Sequence, residues 1–250
     1  MATTPAGAPI WIELYVPDLA PATTFYGELF GWRFNDMGEE YGHYTLVTLG
    51  DDVVAGAMAM DQGMPALCVY LATDDIRAVT ARVREHGGQV LVEPMDIPGQ
   101  GTMAFYADPT GAAIGAWQSP EVLLQARNSV GASVWYELMT SDYQAAKSFY
   151  AHVFGWRLVP MGEQGGPFQY ATNGEGDDAV AGLCDASTFI PSEVPTSFWR
   201  VYLGVENTDA AIDKIKALGG ELVDGPMDSP FGRLATVADD QGVMFQIIEA

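Results

Sequence analysis

Apolar and variable side chains alternate along residues 10–16, the two-residue period of a strand with one buried face. Asp18 follows as an N-cap signal, with Pro21 in the first turn, and Phe25, Leu29 and Phe30 form a helical stripe that Gly31 ends. Three short strands are predicted next, over Trp32–Asn35, Tyr44–Leu49 and Val53–Met60, parted by Gly and Asp turns. The order then returns. Leu67–Thr73 reads as a strand, Asp74 as the cap of a helix from about Ile76 to His86, and Gly87-Gly88 as its end. Strands Gln89–Val92, Thr102–Ala107 and Ala112–Trp117 follow, the last two joined by the turn Asp108-Pro109-Thr110-Gly111. Each strand–helix–three-strand run is one module.

The whole pattern is then written again. Trp11-Ile12-Glu13-Leu14, Phe25-Tyr26 and Phe30-Gly31-Trp32-Arg33 recur as Trp135-Tyr136-Glu137-Leu138, Phe149-Tyr150 and Phe154-Gly155-Trp156-Arg157, each shifted by 124 residues. Val54-Ala55-Gly56 matches Val180-Ala181-Gly182, and Val69-Tyr70-Leu71 matches Val201-Tyr202-Leu203. A repeat of this length is a duplicated domain, too long for a solenoid unit. The expected organisation is a first domain over residues 1–118, a linker over 119–132 and a second domain over 133–250, acting as a monomer that is its own pseudo-dimer. The fold class is α+β.

Composition narrows the partners. The chain has 33 Asp and Glu against 11 Lys and Arg, a formal net charge of −22. That field repels phosphate backbones, so nucleic acid is not an expected partner; solubility explains most of the charge. No apolar run approaches the ~18 residues of a membrane span, and residues 1–9 lack the features of a secretory signal. Cys68 and Cys184 occupy non-equivalent repeat positions, which points to a reducing, cytoplasmic setting without disulfides.

The fourfold module order, the Phe-Tyr…Phe-Gly-Trp helix ends and the Asp-Pro-Thr-Gly turn together resemble the vicinal oxygen chelate superfamily. It includes glyoxalase I, bleomycin-resistance proteins and extradiol dioxygenases. The resemblance covers about residues 9–118 and 133–249 and implies four βαβββ modules paired into two domains, each curling a sheet around one cavity. It also implies metal-ligand positions on the first and last strands of the modules. Here those positions carry Trp11, Cys68 and Gly115 in the first domain, and Trp135, Arg200 and Gln246 in the second; the remaining one lies near Ala57-Met58 and Leu183-Cys184. Such a set lacks the three or more carboxylate, imidazole or thiolate donors that a divalent ion requires. No metal and no other cofactor is therefore expected. His86 and His152 read as surface residues, whereas His43 begins a strand able to face the cavity.

Strand alternation adds the residues two along from each position. The first pocket is expected to be lined by Trp11, Glu13, Cys68, Tyr70, Gly115 and Trp117. The second is expected to be lined by Trp135, Glu137, Arg200, Tyr202, Gln246 and Ile248. Gly115 in place of a ligand side chain opens room, while Trp11 and Trp135 either line the pockets or plug them. Aromatic walls with a few polar groups suit an apolar aromatic or polycyclic small molecule. Glu13 and Glu137 are either a general base, with Tyr70 and Tyr202 as acids, or halves of buried ion pairs with Arg33 and Arg157. Arg200 and Gln246 give the second pocket a cation and an amide that the first lacks. The function expected is metal-independent ligand binding for metabolite tailoring or resistance, in secondary metabolism. The alternatives are a cofactor-independent isomerase, cyclase or lyase, a metal-dependent glyoxalase or dioxygenase, and an interaction protein with filled cavities.

Overall fold

The computed structural model describes residues 4–162, 169–188 and 197–250. The first repeat folds as β1 (Pro9–Val16), α1 (Leu19–Phe30), β2 (Trp32–Asp36), β3 (Thr45–Leu49), β4 (Asp52–Ala59), β5 (Ala66–Ala72), α2 (Ile76–Glu85), β6 (Gln89–Ile97), β7 (Gly101–Ala107) and β8 (Ala113–Gln118). The second gives β9 (Ser133–Thr140), α3 (Tyr143–Phe154), β10 (Val159–Met161), β11 (Tyr170–Thr172), β12 (Gly182–Asp185), β13 (Ser197–Val205), α4 (Thr208–Ala217), β14 (Glu221–Ser229), β15 (Gly232–Ala238) and β16 (Met244–Glu249).

Each repeat builds one eight-stranded sheet. The orders are β2-β3-β4-β1-β5-β8-β7-β6 and β10-β11-β12-β9-β13-β16-β15-β14, the same path taken twice. The chain is thus α+β, with the four strand–helix–three-strand modules the sequence predicts.

Among the described residues each of the four α-helices starts on a short polar side chain that takes up an orphan backbone N–H, a cap worth ~1 kcal/mol. Asp18 accepts from Ala20, Asp75 from Ala78, Asp142 from Ala145 and Asn207 from Ala210. The α2 cap is Asp75, not Asp74, because the helix begins at Ile76 and leaves Asp75 extended at the N-cap position. Gly31 and Gly155 close α1 and α3 at φ 77° and 73°, where a side chain would be strained. The β6 strand runs on to Ile97, well past Val92, through two register shifts against β7.

The compact units do not follow the two repeats. One comprises Met1–Trp11, Val69–Leu123 and Tyr136–Trp199, and the other Ile12–Cys68, Leu124–Trp135 and Arg200–Ala250. Within the second unit, Trp32 donates its indole N–H to the Gly131 carbonyl at 2.6 Å, and the Tyr26 hydroxyl donates to Asp239 Oδ2 at 3.1 Å. Within the first, Trp156 donates to the Gly7 carbonyl at 2.8 Å, and Tyr150 donates to Asp108 Oδ2 at 3.1 Å. Equivalent residues therefore make equivalent bonds, each to a residue beyond their own repeat: Trp32 to the linker, and Tyr26, Tyr150 and Trp156 to the other repeat.

The two aspartates are the first residues of the tight turns before β8 and β16. Asp108 Oδ1 accepts from Thr110 N–H, Thr110 O–H and Ala112 N–H; Asp239 Oδ1 accepts from Gln241 and Val243 N–H. Burial pushes both carboxyls upward, against the hydrogen bonds that favour the charged form. Around the tyrosines lie aromatic clusters. Tyr26 stacks on Trp32 with centroids 5.1 Å apart, and Tyr150 packs on Trp156 at 4.9 Å.

Candidate functional site

Trp11 and Glu13 are two residues apart on β1 and so share a face. Glu13 is only 3% exposed. A carboxylate is costly to bury without hydrogen bonds, and the Tyr44 hydroxyl supplies one, donating to Glu13 Oε2 at 2.8 Å. Gly56 makes that contact sterically feasible. It lies opposite Glu13 in the parallel β1–β4 register, and a Cβ there would overlap the Tyr44 hydroxyl and sit 2.6 Å from Glu13 Oε2.

Cys68 is governed by the same pair of causes, burial and Glu13. Burial first, then the Glu13 charge, pushes its thiol up to about 12. At neutral pH it is a protonated thiol and a poor nucleophile. Cys68 in the folded protein is expected to resist iodoacetamide at pH 8 for hours, read by intact mass and peptide mapping. Alkylation at the rate of a free thiol would contradict the raised thiol of this half-buried side chain.

In the second repeat Glu137, 8% exposed, faces Gly182 in the β9–β12 register, and Tyr170 faces Cys184 across β11–β12. The Glu, Tyr and Gly of the first sheet thus recur as Glu137, Tyr170 and Gly182. Tyr202, 8% exposed, lies opposite Gln246 in the β13–β16 register, and Trp135 and Arg200 are half-buried. The Gln246 amide is engaged by the neighbouring strand: Thr236 O–H donates to its Oε1 at 3.1 Å, and its Nε2 donates to Thr236 Oγ1 at 3.0 Å. Ile248 is buried at 8% exposure.

The aromatic residues of the first sheet form one cluster. Trp117 lies 6.1 Å from Trp11 and 5.8 Å from Tyr70, centroid to centroid, and Tyr70 lies 5.6 Å from Phe105. Tyr70 pairs with Gly115 in the β5–β8 register, and its ring occupies the space that a Gly115 side chain would fill. Gly115 therefore does not open room in the pocket; it makes room for Tyr70. The Trp117 indole donates to the Gln100 carbonyl at 3.2 Å, which ties down the β6–β7 hairpin tip.

Three further expectations change. Arg33 and Arg157 are exposed, so neither Glu13 nor Glu137 is buried as an ion pair with its repeat-matched arginine. Tyr44, which the sequence reading did not single out, is a partner of Glu13. His43 is turned to solvent and pairs with Asp36 at 2.9 Å, with side chains 66% and 57% exposed. The signal that could have pointed to Tyr44 is the glycine inside a strand in both repeats, Gly56 and Gly182, a mark of close approach by another group.

The metal positions implied by the fold were tested against this chemistry. Trp11 and Gly115 offer no donor, Cys68 holds its proton at neutral pH, and Arg200 carries positive charge. Among the described residues no three His, Cys, Asp or Glu side chains gather as a metal site. The residues present do not fit a divalent ion. No helix among the described residues is long and apolar enough to cross a membrane.

Comparison with known proteins agrees with this architecture. The sequence profile of the Glyoxalase/Bleomycin resistance protein/Dioxygenase superfamily matches residues 9–115 and 132–247. The chain is 34% identical over 252 residues to the protein called "Putative glyoxylase CFP32" of Mycobacterium tuberculosis (strain CDC 1551 / Oshkosh), covering 97% of this chain and 95% of that one. It is also 34% identical over 264 residues to the anthracycline biosynthesis protein DnrV of Streptomyces peucetius, covering 97% and 93%. Among solved structures it superposes on the Mn(II)-bound glyoxalase from Novosphingobium aromaticivorans with a TM-score of 0.66. There the identity is 14%, over 99% of this chain and 83% of that one, a likeness of fold alone. Duplicated modules, sheet order and sequence together place this chain in the glyoxalase/bleomycin resistance protein/dioxygenase superfamily.

Proposed function

We propose that this protein binds an aromatic or polycyclic small molecule on the inner faces of its sheets without a metal, to tailor or sequester it within the cytoplasm. The observation that carries the reading is the replacement of metal donors by Trp11, Gly115, Trp135 and Gln246 at the ligand positions of the fold. A relative named for anthracycline biosynthesis, a chemistry of fused aromatic rings, supports the ligand class. Residues 1–118 and 133–250 act as the halves of a monomeric pseudo-dimer, and the second half, with Arg200, is the stronger binder.

The test is a titration of chelator-dialysed protein with 1,4-dihydroxyanthraquinone, followed by tryptophan quenching, with elemental analysis of the same sample. Saturable quenching without stoichiometric transition metal is expected. Arg200→Ala is expected to weaken it about tenfold to a hundredfold, the loss of a charge-assisted hydrogen bond worth ~1.5–3 kcal/mol. About one Zn, Mn, Fe or Ni per sheet, or quenching that returns only with added metal, would overturn the reading.

The buried Glu13–Tyr44 pair favours a second reading, a cofactor-independent acid–base enzyme. Glu13 would accept a proton and Tyr44 would donate one, with Glu137 acting in the second half. Glu13→Gln and Glu137→Gln variants that bind a substrate but no longer convert it would favour this reading over simple binding.

A further inference from the structure

A cavity of about 250 Å³ opens between α2 and α3, and neither Glu13 nor Tyr44 lines it. Arg82 and His152 supply its cationic groups, and Val79, Val153 and Phe154 supply apolar wall. Its volume lies just below the ~300–1,000 Å³ of drug-sized sites, so an occupant would be small, of one ring or a short chain.

The polar groups are fixed in place. Arg82 Nε donates to the Val153 carbonyl at 3.1 Å, which caps the end of α3 and leaves both Nη groups without a protein partner among the described residues. His152 Nδ1 lies 2.7 Å from the Ser148 carbonyl, so Nδ1 carries the proton and Nε2 is the outward nitrogen. His86 stacks on His152, with centroids 4.7 Å apart and planes at 15°. Both histidines sit at helix C-termini.

Charge singles the cavity out. The chain carries 33 acidic residues, yet none lines it among the described residues. The acids next in the chain to its lining are Asp74 and Asp75, both exposed, with Asp75 engaged as the cap of α2; Glu85 is exposed beside His86, and Glu93 on β6 is paired with Arg84. The repeat-equivalent positions of His152 and His86 hold Glu28 and Leu218, so the histidine pair serves no need common to both repeats.

We infer that this cavity is a binding site for a small organic carboxylate, its anionic end held by Arg82 and His152, with His86 stacked behind His152, and its apolar body against Val79, Val153 and Phe154. Benzoate is the probe. The chain has three histidines, so the C2 proton resonances of His86 and His152 report the site and His43 is the internal control.

At constant ionic strength and pH 6.5, benzoate is expected to shift His86 and His152 saturably and to raise their titration midpoints, leaving His43 in place. Benzyl alcohol, the neutral analogue, is expected to bind at least about tenfold more weakly. Arg82→Gln and, at an exposed position, His152→Leu are each expected to weaken benzoate about tenfold while the remaining resonances stay dispersed. Inorganic phosphate acting as well as benzoate would overturn the carboxylate assignment. No shift, or equal shifts of all three histidines, would overturn the site.

Discussion

Tyr150→Phe is expected to destabilise the protein by about 2–4 kcal/mol, and Tyr26→Phe by about 1.5–3 kcal/mol. Both substitutions remove a hydroxyl that donates to a buried aspartate, Asp108 or Asp239. The larger cost at Tyr150 comes from a second partner: Trp199 donates its indole N–H to the same hydroxyl at 3.1 Å and would lose its acceptor. Denaturant unfolding of the two variants measures the difference, and equal costs would mean that the Trp199 bond contributes nothing. The pH dependence has a fixed sign. Burial raises the folded Asp108 carboxyl above its unfolded value. Stability from this group is therefore highest below the ordinary carboxylate range and is lost as pH rises through the raised value. The Tyr150 hydroxyl favours the charged form, so the Tyr150→Phe penalty should be larger at pH 7 than in mild acid.

Adding a single methyl group at Gly115 is expected to cost about 1–3 kcal/mol, because it must displace the Tyr70 ring. That ring is 1% exposed and wedged between Phe105 and Trp117, with nowhere to turn. Gly56→Ala makes a different demand. There the new methyl meets the tip of Tyr44, which can swing aside only by giving up Glu13. Tyr44→Phe placed on Gly56→Ala removes the overlapping oxygen and is expected to restore part of the lost stability. A Tyr70→Phe change on Gly115→Ala restores none, since the overlap there is with ring carbons. Thermal unfolding of the four variants separates the two cases. Recovery in both double variants, or in neither, would show that Gly56 and Gly115 play the same steric role.

The sequence carried the modules because their signals are local. Alternation places β1 and β5, Asp18 and Gly31 bracket α1, and Asp108-Pro109-Thr110-Gly111 can only be a turn. The Asp74 and Asp75 ambiguity was of one residue, since two adjacent aspartates are equally good caps. What was not legible depends on pairing between strands. Tyr44 and Glu13 lie 31 residues apart, and the β3–β4 register that joins them contains a shift between Val47 and Thr48. Counting residues cannot recover a shift of that kind. The Tyr26–Asp239 bond spans 213 residues, and no periodicity states that α1 belongs with the fourth module. The ion-pair expectation for Glu13 failed for a related reason: recurrence of Arg33 and Arg157 recorded duplication, whereas both side chains are exposed, Arg33 on β2 and Arg157 in the segment before β10.

The crossed bonding of the two repeats bears on how the chain is made. During synthesis the first repeat leaves the ribosome with Tyr26 committed to a partner that does not yet exist. At ~5–20 residues per second, the 213 residues separating Tyr26 from Asp239 take roughly 10–40 s to translate. Through that interval the aromatic surface of Phe25, Tyr26, Phe30 and Trp32 waits for Phe245. A nascent chain in this state offers an apolar surface to chaperones, and stopping translation before the last strand would leave one compact unit incomplete, since the first needs residues only through Trp199 whereas the second needs those through Ala250.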